Sequence, residues 1–345
     1  MNDGPVHDSP VNEGPVNDGS VNDGPVHDAI RTHPRALPMP DLRDSFPGPF
    51  PASAHADDIE RHATQWLRTF PLIVSERALG ALTRITGQGV ARTFPTAGRD
   101  ELFLCADLFL WLTAFDDAYG EAAGAADPAR LVRTTSEFVH LLAGHHEPPG
   151  GPSVFGAALR DLLDRYGERA TPAQYARLTA HLRDNLFGIL WEAHHLHRAD
   201  RVTLPDYRAM RPHTVFVRTV IATAEVMAGY ELPEPDRSSE PVRELETAVA
   251  DLAGWINDLA SYAKESAHDG PATLSLPALL MRQHECDLEE AFRRASRMCE
   301  ERAAVAAARI AELTAREGPS ADHARALGSV AASYVWHIDD SRYQS

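Results

Sequence analysis

A chain of 345 residues with 50 Asp and Glu against 33 Lys and Arg carries a net charge of −17. That excess repels a phosphate backbone and argues against a nucleic-acid surface, so an anionic ligand must be held through metal ions or a local cluster of Arg and Lys. Three cysteines, Cys105, Cys286 and Cys299, without CxxC spacing, argue against a disulfide scaffold or zinc site and fit a reducing cytosol.

Residues 1–40 form a region of their own. Val6-His7-Asp8-Ser9-Pro10 opens a five-residue repeat that runs to Pro25, rich in Gly, Pro, Asn and Asp. Such a segment buries too little apolar surface to offset its chain entropy, so a disordered acidic tail is expected before an ordered domain over 41–345. From Asp57 onward the pattern is helical. Ile59, Trp66 and Leu67 mark a first helix, and Ser75 caps a second running to about Val90. A third helix opens at Thr96 or Arg99. It carries Leu102, Leu104, Ala106, Phe109, Leu110, Leu112 and Phe115, apolar nearly all round, as a core helix is. Further helices are expected over about 128–144, 153–167, 172–198, 205–230, 240–267, 274–283, 287–316 and 321–337. No hairpin dipeptide stands between two alternating runs. The expected architecture is all-α, a single helical bundle of roughly ten helices. With no signal peptide and no apolar run long enough to span a bilayer, a cytoplasmic monomer or homodimer is expected.

Two polar clusters interrupt this apolar pattern. Asn257, Ser261 and Glu265 are spaced i, i+4, i+8, so they drift only about 40° per step and share one helical stripe. An amide oxygen, a hydroxyl and a carboxylate are hard ligands, suited to Mg²⁺. Lys264 lies one residue off the stripe, where it can meet an anion held by the metal. The second cluster is Asp116, Asp117 and Glu121, just after the apolar third helix, with Asp117 and Glu121 expected as i,i+4 neighbours. Three acids there are costly to bury without a cation.

The stretch Asn257–Glu265 resembles (N/D)Dxx(S/T)xx(K/R)E, a metal-binding motif of class I terpene synthases. Asp116-Asp117-Ala118-Tyr119-Gly120-Glu121 looks like that family's aspartate-rich motif in a DDxxxE variant, with Gly120 at the position of the third acid in DDxxD. Arg211, 46 residues before Asn257, matches the family's diphosphate-sensing arginine, and Arg342-Tyr343 its C-terminal RY pair. Thr214 and Val215 then fall on the linker and effector positions, and Val215 departs from the frequent Gly.

The resemblance implies a lyase that binds three Mg²⁺ ions through Asp116, Glu121, Asn257, Ser261 and Glu265. Diphosphate would be gripped by Arg211, Lys264, Arg342 and Tyr343, with Asp117 pairing to the sensing arginines. A linear prenyl diphosphate would be ionised and its cation cyclised against aromatic faces, for which Trp336, Phe115 and Trp191 are candidates beside Phe187 and Tyr334. Phe109 and Trp255 read as core packing. Farnesyl diphosphate, giving a sesquiterpene, is the expected substrate. Geranylgeranyl diphosphate comes second, followed by a monoterpene substrate or chain-elongating prenyl transfer. A helical binding protein with a vestigial site is the non-enzymatic alternative. The histidines His194, His195 and His197 lack HExxH spacing and read as an exposed helix end.

Overall fold

Elements start where local chemistry allows them to. In this computed structural model, which describes residues 37–144, 153–269 and 274–339, side-chain caps open several helices. Ser75 accepts from the Ala78 amide at the head of α2 (Glu76–Thr93), and α1 (Ala56–Thr69) precedes it. Asp127 and Ser153 cap α5 (Pro128–Leu142) and α6 (Val154–Arg169) in the same way. Thr171 and Thr203 form capping boxes at α7 (Pro172–His195) and α8 (Leu204–Thr214), and Asp287 caps α13 (Leu288–Thr314). These side chains satisfy amides that a helix start otherwise leaves unpaired.

The core helix is α3 (Arg99–Tyr119), in which Leu102, Leu104, Leu110, Trp111, Leu112 and Phe115 are all buried. It packs against α1, α2, α6 and α9 (Val217–Ala228). The other long axis is α11 (Glu240–Asp269), packed against α13, α14 (Pro319–Asp339), α8 and α12 (Leu276–His284). Short helices α4 (Glu121–Ala126) and α10 (Glu234–Arg237), with a 3₁₀ turn at Leu196–Arg201, complete the described residues. Every element among them is helical, fourteen α-helices in one bundle, and no described helix is long and apolar enough to cross a membrane. The tail repeat at 6–25 and Arg342-Tyr343 lie outside the described residues.

Two expectations change. The helix expected over 205–230 is broken between α8 and α9. Pro212 has no N–H to give the ladder, and Phe216 turns into the left-handed region at φ 62°. Asp117 and Glu121 are not neighbours on one helix either, because Gly120 is extended (ψ −174°) and ends α3 one residue before α4 begins.

Candidate active site

On α3, Phe109, Leu112, Thr113 and Asp116 recur at helical spacing, and all face one cavity of about 570 Å³. The opposite wall is α11, from which Asn257 and Ser261 project into the same space. Between them stand Arg211 and Thr214 of α8, the break at Val215 and Phe216, and Glu192 of α7. Ile85, Thr86, Gly89, Val90 and Thr93 of α2 face Ser333, Tyr334, Trp336 and His337 of α14 across the apolar part. Hard oxygen donors and an arginine are therefore grouped on one side, with apolar and aromatic groups on the other.

Arg211 is the best-anchored residue of the polar side. Its guanidinium donates to Asn257 Oδ1 at 2.9 Å and Thr214 Oγ1 at 2.9 Å. It also pairs with Asp258 Oδ1 at 2.5 Å and lies 3.7 Å from Glu192 Oε1. The close approach of α8 to α11 favours Gly254, where a Cβ would stand 3.0 Å from Arg211 Cγ and crowd it. Asp258 is 1 % exposed. Burial pushes its carboxyl up, and Arg211 pulls it back, as do a hydrogen bond from the Tyr207 hydroxyl and one from the Leu276 amide at 2.6 Å. Those donors are the partners a buried carboxylate needs, and they tie α11 to α8 and α12. Ser261 meanwhile donates from Oγ to the Asn257 carbonyl at 2.8 Å, leaving its lone pairs toward the cavity.

Other cavity groups are kept neutral. Burial raises the Tyr334 phenol and the Cys105 thiol each to about 12, so neither ionises near neutral pH. Trp336 carries the Arg92 guanidinium over its ring, 3.9 Å from the centroid, and Arg92 also donates to Gln88.

The cavity gathers Asp116, Asp117, Arg211, Thr214, Val215, Asn257, Ser261 and Trp336. Glu121 lies in α4, and Lys264 and Glu265 lie in α11. Phe115 and Trp191 stand apart from it. Phe115 points to the far side of α3, packed with Trp111, Tyr119, Phe138 and Phe155. Trp191 is half-buried against His195, one residue before the cavity-facing Glu192. Phe187 is 60 % exposed and Trp255 is buried between Arg208 and Arg302, whereas Phe109, read as packing, lines the cavity. Glu192, Phe216 and Asp258 are additions to the sequence-based set. The first had a signal, an acid inside the apolar run Leu186–Ala193.

A divalent metal fits this chemistry. Two carboxylates, one amide oxygen and one hydroxyl converge on a single cavity from α3 and α11, all hard donors. Among the described residues no three His, Cys, Asp or Glu form a ready-made metal cluster.

The model "Terpene synthase family 2, C-terminal metal binding" matches residues 107–304. A (12E)-labda-8(17),12,14-triene synthase from Streptomyces anulatus is 90% identical over 92% of this chain and 99% of its own length. A synthase of the same name from Streptomyces cyslabdanicus is 53% identical over 89% of this chain and 94% of its own. Among solved structures, the SVS_A2 protein from ancestral sequence reconstruction superposes with a TM-score of 0.75 at 22% identity, covering 88% of this chain and 90% of its own. The chain is thus a metal-dependent lyase and belongs to the class I terpene synthases.

Proposed function

We propose that this chain ionises a bicyclic twenty-carbon prenyl diphosphate and releases a labdatriene. The observation that carries the reading is the shared product name of the two relatives above. A third, at 38% identity over 81% of this chain, is a labda-7,13(16),14-triene synthase from Streptomyces clavuligerus. All three names specify the labdane decalin. This favours a diterpene product over the sesquiterpene that the sequence alone suggested, and displaces farnesyl diphosphate as the first choice.

The double bonds indicate which diphosphate. A 12,14-diene at the end of the side chain is what an allylic cation over C13–C15 gives by losing a proton from C12. The substrate is then labda-8(17),13-dien-15-yl diphosphate. Its C15–O bond breaks, the electron pair leaves with diphosphate, and the C12–H electrons become the new alkene. The decalin itself closes by protonation of an alkene with the diphosphate retained, which is a different reaction. The rings are therefore already present when the substrate binds here, and no new ring forms.

Asp116, Asn257, Ser261 and Glu265, with Glu121, would hold Mg²⁺ ions, three by the family resemblance. The bound metal would supply Lewis-acid charge to the leaving group. Arg211 offers a planar fork to diphosphate oxygens, which Asn257, Thr214, Asp258 and Glu192 keep in place. Phe109, Leu108, Leu112 and Val220 exclude water from the cation, so that proton loss outruns hydration. A volume of about 570 Å³ lies inside the range of about 300–1,000 Å³ usual for small-molecule sites.

The test is incubation of the full chain with Mg²⁺ and, separately, labdadienyl, geranylgeranyl and farnesyl diphosphates. Labda-8(17),12,14-triene and diphosphate are expected from the first. Efficient turnover confined to either linear substrate would rule the bicyclic reading out.

A further inference from the structure

We propose that Gly89 sets the width of the cavity, and that the space before it receives the ring system of the substrate. The inference rests on the bicyclic substrate proposed above and names the residue that selects it.

Gly89 lies inside α2 and costs that helix stability, because glycine is a poor helix former. Some helical glycines in this chain have a packing reason; Gly80 of the same helix has none, but unlike Gly89 it does not line the cavity. At Gly87, two residues before Gly89, a Cβ would stand 2.9 Å from the Ala56 carbonyl oxygen, so α1 approaches too closely for any side chain. No such reason exists at Gly89. A Cβ there would meet nothing within 4 Å, and the position faces the cavity. What the missing side chain leaves is therefore room for a ligand.

The neighbours make the same point. Thr86, one turn earlier on α2, also lines the cavity and is 1 % exposed, and its hydroxyl has no hydrogen-bond partner among the described residues. This strip of α2 is thus a buried cavity wall with a hydroxyl that no described protein group satisfies. Below it the wall closes, since Thr93 bonds to Ser333 Oγ at 3.2 Å and Arg92 lies on Trp336. Above it Ile85 forms the rim, 42 % exposed. Four residues of helix separate Ile85 from Gly89, about 6 Å of rise. Gly89 therefore lies about one helical turn inside the rim, on the apolar wall. A decalin is wider than a polyprenyl chain, and at this depth a residue without a side chain leaves more room for it than any other residue would.

The experiment measures binding, so its outcome is independent of turnover. Unreactive thiolodiphosphate analogues of the bicyclic and of the linear farnesyl substrate are titrated calorimetrically, with Mg²⁺, into wild type, Gly89→Ala and Gly89→Leu. Gly89→Leu should weaken the bicyclic analogue at least about tenfold and the linear one less than about threefold, with Gly89→Ala between wild type and Leu. Gly89→Ala should melt at or above the wild-type temperature, since it restores a good helix former where nothing clashes. Equal weakening of both ligands, unchanged affinity for both, or a lower melting temperature for Gly89→Ala would each overturn the assignment. Failure of the wild type to turn over the bicyclic diphosphate would instead count against the substrate reading.

Discussion

Arg211 holds four oxygen-bearing side chains from three helices, and that is more than a point charge can do. Arg211→Lys keeps the charge and loses the planar fork. Diphosphate release should slow by at least about tenfold while the product ratio stays as in wild type, because the loss falls on the leaving group and not on the cation wall. Diphosphate assay beside gas chromatography measures both; reshuffled products at full rate would assign Arg211 to the wrong wall. The proposed metal ligands make a separate case. Asn257→Ala, Ser261→Ala and Glu265→Ala should each lower turnover by orders of magnitude with the helical circular dichroism intact, since the metal acts on the substrate-bound state. A Glu265→Ala protein that matches wild type at limiting Mg²⁺ would remove the α11 stripe from the metal site.

At the level of elements, the junction of α3 and α4 determines where an acid can sit. A Cβ on Gly120 would lie 2.7 Å from the Asp116 carbonyl oxygen and collide with the Asp116 carboxylate. Gly120→Ala should therefore turn that carboxylate aside and raise the Mg²⁺ concentration needed for half-maximal turnover severalfold, with saturating-metal activity largely retained. Metal titration of initial rates reads this directly, and an unchanged midpoint would show that Asp116 does not depend on the junction. Helix starts were legible in the sequence wherever a Ser, Thr or Asp cap stood before an apolar period, as at Ser75. So was the stripe from Asn257 to Glu265, because its spacing is local. The facing of α3 was not. A helix apolar all round carries no moment to show which side meets a cavity, so Phe115 and Phe109 exchanged roles. The break at Phe216 was hidden for a similar reason: no Gly marks it, and Pro212 stands a turn too early. Glu192 and Asp258 act through partners far along the chain, which spacing cannot reveal.

On the scale of the whole molecule, the repeat-bearing tail and the helical bundle are expected to be separable. The bundle's core begins with Leu42 and Phe46, and its cavity is lined from Ile85 onward. Removing residues 1–36 should leave the melting temperature and turnover within about twofold of wild type, measured by thermal denaturation and product formation. A large loss of turnover at an unchanged melting temperature would give the tail a part in covering the cavity.

The contact between Arg92 and Trp336 bears on when the reaction stops. An indole face stabilises positive charge, but here a permanent guanidinium already occupies one face. Positive charge migrating toward that wall would approach a like charge in a poorly screened interior. Arg92 is thus expected to act as an electrostatic buffer stop that confines the cation near the departing anion; on the reaction proposed above, early proton loss would then end the sequence with the ring count unchanged. Replacing Arg92 by Met keeps the length and removes the stop. Products with an added ring or a trapped water should then rise severalfold, in keeping with the roughly 0.5–2 kcal/mol that such contacts carry. The product chromatogram decides it: the wild-type profile from Arg92→Met would place the stop elsewhere in the wall.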